Sequence, residues 1–280
     1  MTFRILLATS FHEHLAALTG FHLNWQSALS GRMTTLAHLS ATTRPAMLAE
    51  AAECGVLPSA PGLVINPVSI PTRFGSALPM LIHNRLMARR LGMAASHLCL
   101  ASPYLYAVMP GLDMEIEQAD AGLPAVTYAP HAHWFWANHA AADPYLTALL
   151  AHLGAEMRIG RADGVFMPMR LFDELLALLH RFYPPDALAQ PEPLYPLEEV
   201  IFPTLLPILL GSSDRIVATR ARVWEGESVD VSTMNAAIAS GLHASVKRVP
   251  QIPGDRVRQA VLRHLPGEAV LGAYCDGAAG

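Results

Sequence analysis

The chain has 280 residues, of which 52% are apolar and only 15% are charged, and its net charge at pH 7 is −4. This length and apolar content are enough for a large buried core and argue against an intrinsically disordered chain. The low charged fraction and the acidic balance argue against a nucleic-acid or general polyanion binder, so a phosphate-bearing ligand would need a local basic cluster.

The first hundred residues alternate between strand-like and helix-like segments. Short apolar runs predict strands, and the segments between them have apolar residues at helical spacing, with glycine just after several of them. The predicted strands are 3–9, 35–40, 62–66 and 97–101, and the predicted helices are 14–29, 45–53 and 76–91. This alternation indicates an α/β fold with helices on the faces of a mainly parallel sheet.

The second half of the chain is less regular. Its predicted helices are 144–153, 171–182, 197–210 and 256–264, its predicted strands are 226–235 and 245–249, and the aromatic segment 119–139 is predicted to form loops. Neither an internal repeat nor a domain linker is visible. We therefore expect a single domain over residues 1–266, followed by a loose tail at 267–280.

The hydropathy pattern predicts neither a membrane span nor a secretory leader. The longest apolar run, 200–210, is about half as long as a bilayer-crossing helix and contains two prolines. The apolar start gives way to Phe-His-Glu-His at 11–14, where a leader would end in a cleavage site. Cysteines at 54, 99 and 275 have no paired spacing, which indicates reduced thiols. A cytoplasmic location is predicted, with peripheral association at the inner membrane left open.

The common nucleotide- and metal-binding motifs are missing. The chain has no dinucleotide-binding glycine motif, no P-loop, no serine-hydrolase elbow and no H-E-x-x-H. Two groups of residues bear some likeness to metal ligands, namely His131, His133 and His139, and Asp113 with Glu115. Neither has the compact spacing of a metal site, so packing or acceptor contact is favoured for the histidines and a solvated loop for the acids. No metal or other cofactor is expected.

Two adjacent acids precede a strongly apolar helix in the stretch PLEEVIFPTL at 196–205. In isolation, Glu198 and Glu199 would be explained by the attraction of carboxylates to a helix N-terminus, worth about 0.3–1 kcal/mol each. The stretch also resembles a motif of the core-2/I-branching β-N-acetylglucosaminyltransferase and xylosyltransferase family, acid-acid-apolar-apolar-aromatic-x-Thr. In that family the second acid is the catalytic base, so the resemblance implies this role for Glu199.

The resemblance extends, more weakly, over about residues 3–250. The segment 73–102 is similar to a helix and a following strand of the family, which implies donor contacts for Arg73 and Ser102. The family usually has Ser-Gly-x-Asp after that strand, whereas this chain has Ser-Pro-Tyr-Leu, so that Leu105 stands where an acid is expected. The implied fold is a GT-A-like, Rossmann-type mixed sheet flanked by helices.

The same resemblance implies a phosphate site made of basic side chains instead of a metal. Lys247 and Arg248 are the candidates, followed by Arg256 and Arg258, and a solvated basic face is the alternative. Residues at predicted strand ends are candidates for the nucleotide cradle, because open α/β sheets bind ligands there, although each polar one is also a good turn former. These residues are Thr9, Ser10, Ala41 and Asn66.

The implied function is that of an inverting glycosyltransferase. It would move a sugar from a nucleotide-diphosphate sugar to a hydroxyl of a glycan or lipid-linked acceptor, without a metal. The alternative is a non-catalytic GT-A-like domain that binds a glycan or a partner enzyme, which the missing acid at Leu105 favours. A hydrolase that uses Glu198 and Glu199 ranks last, because adjacent acids do not readily flank one bond.

Overall fold

The structure is a computed structural model that describes residues 4–12, 14–53, 60–72, 77–124, 127–128, 134–190, 193–224, 229–252 and 254–265. The strands are β1 (Ile5–Phe11), β2 (Met33–Leu39), β3 (Leu63–Ile65), β4 (His97–Leu100), β5 (Tyr106–Ala107), β6 (Ala121–Leu123), β7 (Thr127–Tyr128), β8 (Ile159–Gly160), β9 (Phe166–Pro168), β10 (Ile216–Ala218), β11 (Ala221–Arg222) and β12 (Ser245–Val246). The helices are α1 (Ala17–Ala28), α2 (Arg44–Glu53), α3 (Ala77–Arg90), α4 (Leu112–Gln118), α5 (Ala137–Ala141), α6 (Pro144–Leu153), α7 (Met169–Leu179), α8 (Pro185–Leu188), α9 (Glu198–Leu210), α10 (Val231–Ala239) and α11 (Arg256–Leu262).

The central sheet has seven strands in the order β10-β6-β9-β4-β1-β2-β3. β1 pairs in parallel with β2 and β4, β2 with β3, and β6 with β10, while β9 runs antiparallel between β4 and β6. The order β3-β2-β1-β4 is that of a Rossmann-type half-sheet. The mixed α/β fold flanked by helices is therefore confirmed, as are the four predicted strands of the first hundred residues, each shifted by no more than a residue or two.

Alternation along β1 divides the core between the two faces of the sheet. Leu6 and Ala8 point to one face, which α3, α7 and α9 cover, and Ile5 and Leu7 point to the other, which α1 and α11 cover. Both faces are thus buried, which is why the strands are apolar throughout rather than alternating with polar residues.

Two small sheets carry the rest of the described strands. β12 pairs in parallel with β11 and antiparallel with β5, and β7 pairs antiparallel with β8. Because β5 follows β4 closely in the chain, the first small sheet holds β12 near the carboxyl end of β4. This arrangement positions the residues directly after β12.

Two predictions for the less regular part of the chain, from residue 119 onwards, are wrong. The segment predicted as a strand at 226–235 contains the start of α10, which Asp230 caps by accepting a hydrogen bond from the amide of Thr233 at 2.7 Å. The predicted loop region 119–139 contains β6, an inner strand of the central sheet, and the beginning of α5. The predicted helices are confirmed, 144–153 with the same ends and the others with ends shifted by up to three residues.

No helix of the described ranges is long and apolar enough to cross a bilayer. The longest apolar helix, α9, ends at Gly211, which adopts φ 73° and so terminates the helix in the left-handed region. The predicted tail at 267–280 lies outside the described residues.

Candidate active site

A cleft of about 380 Å³ opens where β1 and β4 end. Carboxyl ends of neighbouring parallel strands are where open α/β sheets bind ligands. The second half of the chain supplies the opposite wall of this cleft. Its charged and polar lining residues are Ser10, His12, Thr72, Ser102, Tyr104, Arg161, Asp163, Glu198, Glu199 and Lys247.

Glu199 lies in the first turn of α9, and its side chain is only 16% exposed. The indole Nε1 of Trp134 donates a hydrogen bond to its Oε2 at 3.2 Å, and Arg161 Nη1 lies 3.9 Å from its Oε1. Burial raises the pKa of the Glu199 carboxyl, whereas the charge of Arg161 and the hydrogen bond from Trp134 act in the opposite direction. The result is a carboxylate that faces the cleft with a fixed orientation and enhanced basicity.

Glu198 has a different environment from its neighbour. It is buried, and its two carboxyl oxygens accept hydrogen bonds at 3.4 Å from the backbone amides of Ala77 and Leu78, the first residues of α3. Burial raises the pKa of Glu198 to about 8, and the nearby charge of Glu199 adds to this effect. Glu198 therefore interacts with the N-terminus of a neighbouring helix, so that the two adjacent acids have separate surroundings.

The raised pKa of Glu198 predicts a pH-dependent loss of stability. The folded state binds this proton more tightly than the unfolded chain, whose ordinary pKa is 4.5, so the stabilisation is full below that value and is lost as the pH rises through about 8. We expect the free energy of unfolding of Glu198→Gln to fall less over this pH range than that of the unmodified protein. Urea titrations at several pH values measure this. Glu174→Gln, at an exposed position on α7, should behave like the unmodified protein.

Lys247 and Asp163 form an ion pair in the cleft. Lys247 directly follows β12, and its backbone amide donates a hydrogen bond to the carbonyl of Arg222 at 2.8 Å. Burial favours a raised pKa for Asp163, but the charge of Lys247, its hydrogen bond and hydrogen bonds from Ser102 together outweigh this, and the pKa of Asp163 is lowered. Both partners are largely shielded from water, with side chains 24% and 15% exposed for Lys247 and Asp163.

Sequence reasoning did not single out Asp163 or His12. Asp163 precedes Gly164, which adopts φ 83°, so the segment reads as an ordinary turn before β9. His12 Nε2 lies 3.1 Å from the hydroxyl of Ser10, which in turn lies 3.3 Å from the hydroxyl of Thr72. A polar residue close to the end of β1 was the available signal, and it pointed to Thr9 and Ser10 but not to His12.

Three of the predicted donor-site residues line the cleft, namely Ser10, Ser102 and Lys247. Thr9 is fully buried and is not among the lining residues. Asn66 is buried as well and bonds with Asn84 at 2.9 Å and His83 at 3.1 Å, away from the cleft. Arg73 lies outside the described residues.

The other predicted basic residues contact the protein itself. Arg248 adopts φ 69°, and its Nε donates to the carbonyl of Trp224 at 2.7 Å, so its side chain is directed away from the cleft lined by Lys247. Arg258 is buried and donates to the hydroxyl of Tyr106 at 3.2 Å and the carbonyl of Ala17 at 3.0 Å. Arg256 is exposed at the start of α11. Of these cations, only Lys247 faces the cleft.

Asp113 and Glu115 have a structural role. Asp113 is buried in the first turn of α4 and accepts a hydrogen bond from the Ser30 hydroxyl at 3.0 Å, and Glu115 forms an ion pair with Arg220. The expectation of a solvated loop is wrong, because these residues belong to a helix.

Of the three histidines that bear some likeness to metal ligands, the structure describes one. His139 lies on α5 and packs against Trp136 at a ring distance of 5.8 Å, while His131 and His133 lie outside the described residues. Across the ranges that the structure describes, no three His, Cys, Asp or Glu side chains are grouped so that they could hold a metal ion.

Comparison with known proteins does not identify a family. No family model matches the chain, and no curated protein matches it. One solved structure that it resembles is a nucleoside-diphosphate-sugar pyrophosphorylase from Vibrio cholerae RC9, with 10% sequence identity and a TM-score of 0.34, over 69% of this chain and 86% of that chain. A likeness of this size carries no inference about activity.

Proposed function

We propose that this protein is an inverting glycosyltransferase that works without a metal. It would transfer a sugar from a nucleotide-diphosphate sugar to a hydroxyl of a glycan or lipid-linked acceptor. The observation that supports this most is the presence of Glu199, Arg161 and Lys247 in one cleft at the carboxyl edge of the sheet. A base and cations for a leaving diphosphate are the two requirements of such a transfer.

In the proposed reaction Glu199 removes the proton from the acceptor hydroxyl. The acceptor oxygen then forms a bond to the anomeric carbon from the face opposite the diphosphate, and the bond from that carbon to the diphosphate oxygen breaks. A positioned carboxylate of raised pKa is suited to the first task, because general-base efficiency rises as the pKa of the base approaches the working pH. One displacement inverts the anomeric configuration.

The departing diphosphate gains negative charge, which fixed cations stabilise in a partly dehydrated site. Lys247 is assigned this role, with Arg161 as a second cation. An ammonium group has three N–H donors, so Lys247 can hold Asp163 with one and diphosphate oxygens with the others. Asp163 thereby serves to orient Lys247.

Trp134 is proposed to orient Glu199 and to keep it ionised. Trp134→Phe removes the indole donor, so we expect the pKa of Glu199 to rise and the acidic limb of the kcat/KM profile to move to higher pH, with a loss of several-fold in turnover at neutral pH that shrinks in alkaline buffer. The pH profile of the variant measures this. Trp136→Phe is the matched control, because Trp136 packs against Phe135 at a ring distance of 4.7 Å and should leave the profile in place. An unchanged pH profile for Trp134→Phe would contradict the role proposed for Trp134.

A thermal-stability screen with a panel of nucleotide diphosphates and nucleotide sugars tests donor binding. In the presence of EDTA we expect at least one nucleotide to stabilise the protein, by about 2.7 kcal/mol at 100 times its dissociation constant. Stabilisation that appears only after manganese is added would contradict metal independence.

A non-catalytic GT-A-like domain that binds a glycan or a partner enzyme is the second candidate. It is favoured by Leu105, which stands where the resemblance implies an acid and is fully buried beside the cleft-lining Tyr104. Absence of stabilisation by every nucleotide of the thermal-stability screen, with no turnover across a panel of acceptors, would support it. The single domain over 1–266, the cytoplasmic location and any peripheral membrane association remain predictions from the sequence.

A further inference from the structure

A second pocket, of about 460 Å³, lies between α3, α7 and α8 and shares no lining residue with the cleft. We call it the α3–α7 pocket. Its walls are mainly apolar, with Ile82 and Leu86 contributed by α3, Leu176 by α7 and Leu188 by α8. Its volume lies within the roughly 300–1,000 Å³ of small-molecule sites, which are likewise mostly apolar with a few polar groups. Leu86 is 52% exposed there, and a ligand would shield it from water.

One side of this pocket carries excess positive charge. Arg85 donates from Nε and Nη2 to the two carboxyl oxygens of Asp173 at 2.8 and 2.7 Å, and Arg89 donates to the same Oδ2 at 3.0 Å. One carboxylate thus pairs with two guanidinium groups, which leaves a net charge of plus one among these three side chains. The next residue, Arg90, also lies close enough to His83, a lining residue, to lower its pKa, although burial lowers it more.

The accessible guanidinium is that of Arg89, whose side chain is 58% exposed, whereas that of Arg85 is 13% exposed. Guanidinium groups present N–H donors in a planar fork that matches the oxygens of phosphates and carboxylates. The pocket therefore combines apolar walls with a basic group at its edge, a pairing that complements a molecule with an alkyl chain and an anionic head.

We propose that the α3–α7 pocket binds a single anionic amphiphile, with its alkyl chain between α3 and α7 and its phosphate or carboxylate head at Arg89. This site is separate from the cleft, and the proposal does not depend on glycosyl transfer. An uncharged ligand would leave the excess positive charge of the pocket without a counter-charge. An inorganic anion would leave the apolar walls in contact with water.

Isothermal titration with decyl phosphate, kept below its critical micelle concentration, tests the proposal. We expect saturable binding of one molecule per chain. Decyl maltoside, which has the same chain without the charge, and inorganic phosphate, which has the charge without the chain, should each bind at least tenfold more weakly. Equal binding of the maltoside, or no saturable binding of decyl phosphate, would overturn the proposal.

Two variants locate the binding. Ala177 is an exposed lining residue of α7, so Ala177→Phe should fill the pocket without disturbing the core and weaken decyl phosphate binding at least tenfold, whereas Ala151→Phe on the exposed side of α6 should not. Arg89→Gln should weaken binding about tenfold, and Arg256→Gln should not. Unchanged affinity in both Ala177→Phe and Arg89→Gln would place the amphiphile elsewhere and overturn the proposal. So would a dimer in sedimentation that Ala177→Phe dissociates, because a second copy would then occupy the pocket.

Discussion

Glu199→Gln is expected to lower turnover about 100-fold or more while the fold and donor binding survive. The amide has the same shape as the carboxylate, and its oxygen still accepts the hydrogen bond from the indole of Trp134, but it cannot take a proton from the acceptor. Single-turnover kinetics measure the chemical step, and titration with the nucleotide measures donor affinity. Because burial raises the pKa of Glu199, loss of the ionisable group should not lower the free energy of unfolding.

Glu198→Gln is the matched control for this prediction. Its carboxyl group bonds to the amides of α3, so we expect a changed pH dependence of stability and a much smaller loss of turnover. The simple helix-dipole explanation predicts otherwise. On that explanation both variants lose a few tenths of a kcal/mol of stability and keep nearly all turnover, a result that would remove Glu199 as the base.

Lys247→Met is expected to harm both stability and donor binding. It leaves the Asp163 carboxylate buried without its partner, which should lower the free energy of unfolding by about 1–3 kcal/mol. It also removes the proposed diphosphate cation, so donor affinity should fall at least tenfold. Urea unfolding and nucleotide titration measure the two effects separately.

The double variant Lys247→Met/Asp163→Asn separates a structural ion pair from a functional one. Neutralising Asp163 removes the stranded charge, so stability should largely return. Donor affinity should remain low, because the cation is still absent. Arg248→Met is the matched control, since the Arg248 guanidinium bonds to the Trp224 carbonyl and should not affect donor affinity. Recovery of both properties in the double variant would assign the pair to stability alone.

The parallel half of the sheet was predictable because its strands β1 to β4 are apolar runs, and β1, β2 and β3 are each followed by a helix. β9 was not, because it has three residues, and its place between β4 and β6 depends on pairing between distant segments. The same holds for the small sheets, whose strands are too short to show a periodic pattern, except for β12, which lies within the predicted strand 245–249.

In the segment around α10, strand propensity and a helix-capping residue favour different secondary structures. Val229 and Val231 favour a strand by propensity. In the structure, the carboxylate of Asp230 caps the following turn, and the residues after it continue as a helix. The capping signal was present in the sequence, but the β-branched residues beside it obscured it.

The candidate site was predictable in part. The motif at 198–205 identified Glu199, and the position after a short strand identified Lys247, and both line the cleft. The position of a residue at a strand end does not show whether its side chain faces the cleft. Thr9 and Asn66 therefore share the pattern that predicted Ser10 as a donor contact, although they lie buried outside the cleft. Asp163 meets Lys247 across 84 positions of sequence, and no local pattern reports such a contact.

The measurement that tests the central claim most directly is a proton NMR spectrum of the chain incubated with the stabilising nucleotide sugar and a panel of glycan acceptors, in EDTA. The account predicts a new glycoside whose anomeric configuration is opposite to that of the donor, together with free nucleoside diphosphate, and no product with Glu199→Gln. A product with retained configuration, or conversion of the donor with added pyrophosphate to a nucleoside triphosphate and a sugar phosphate, would contradict it.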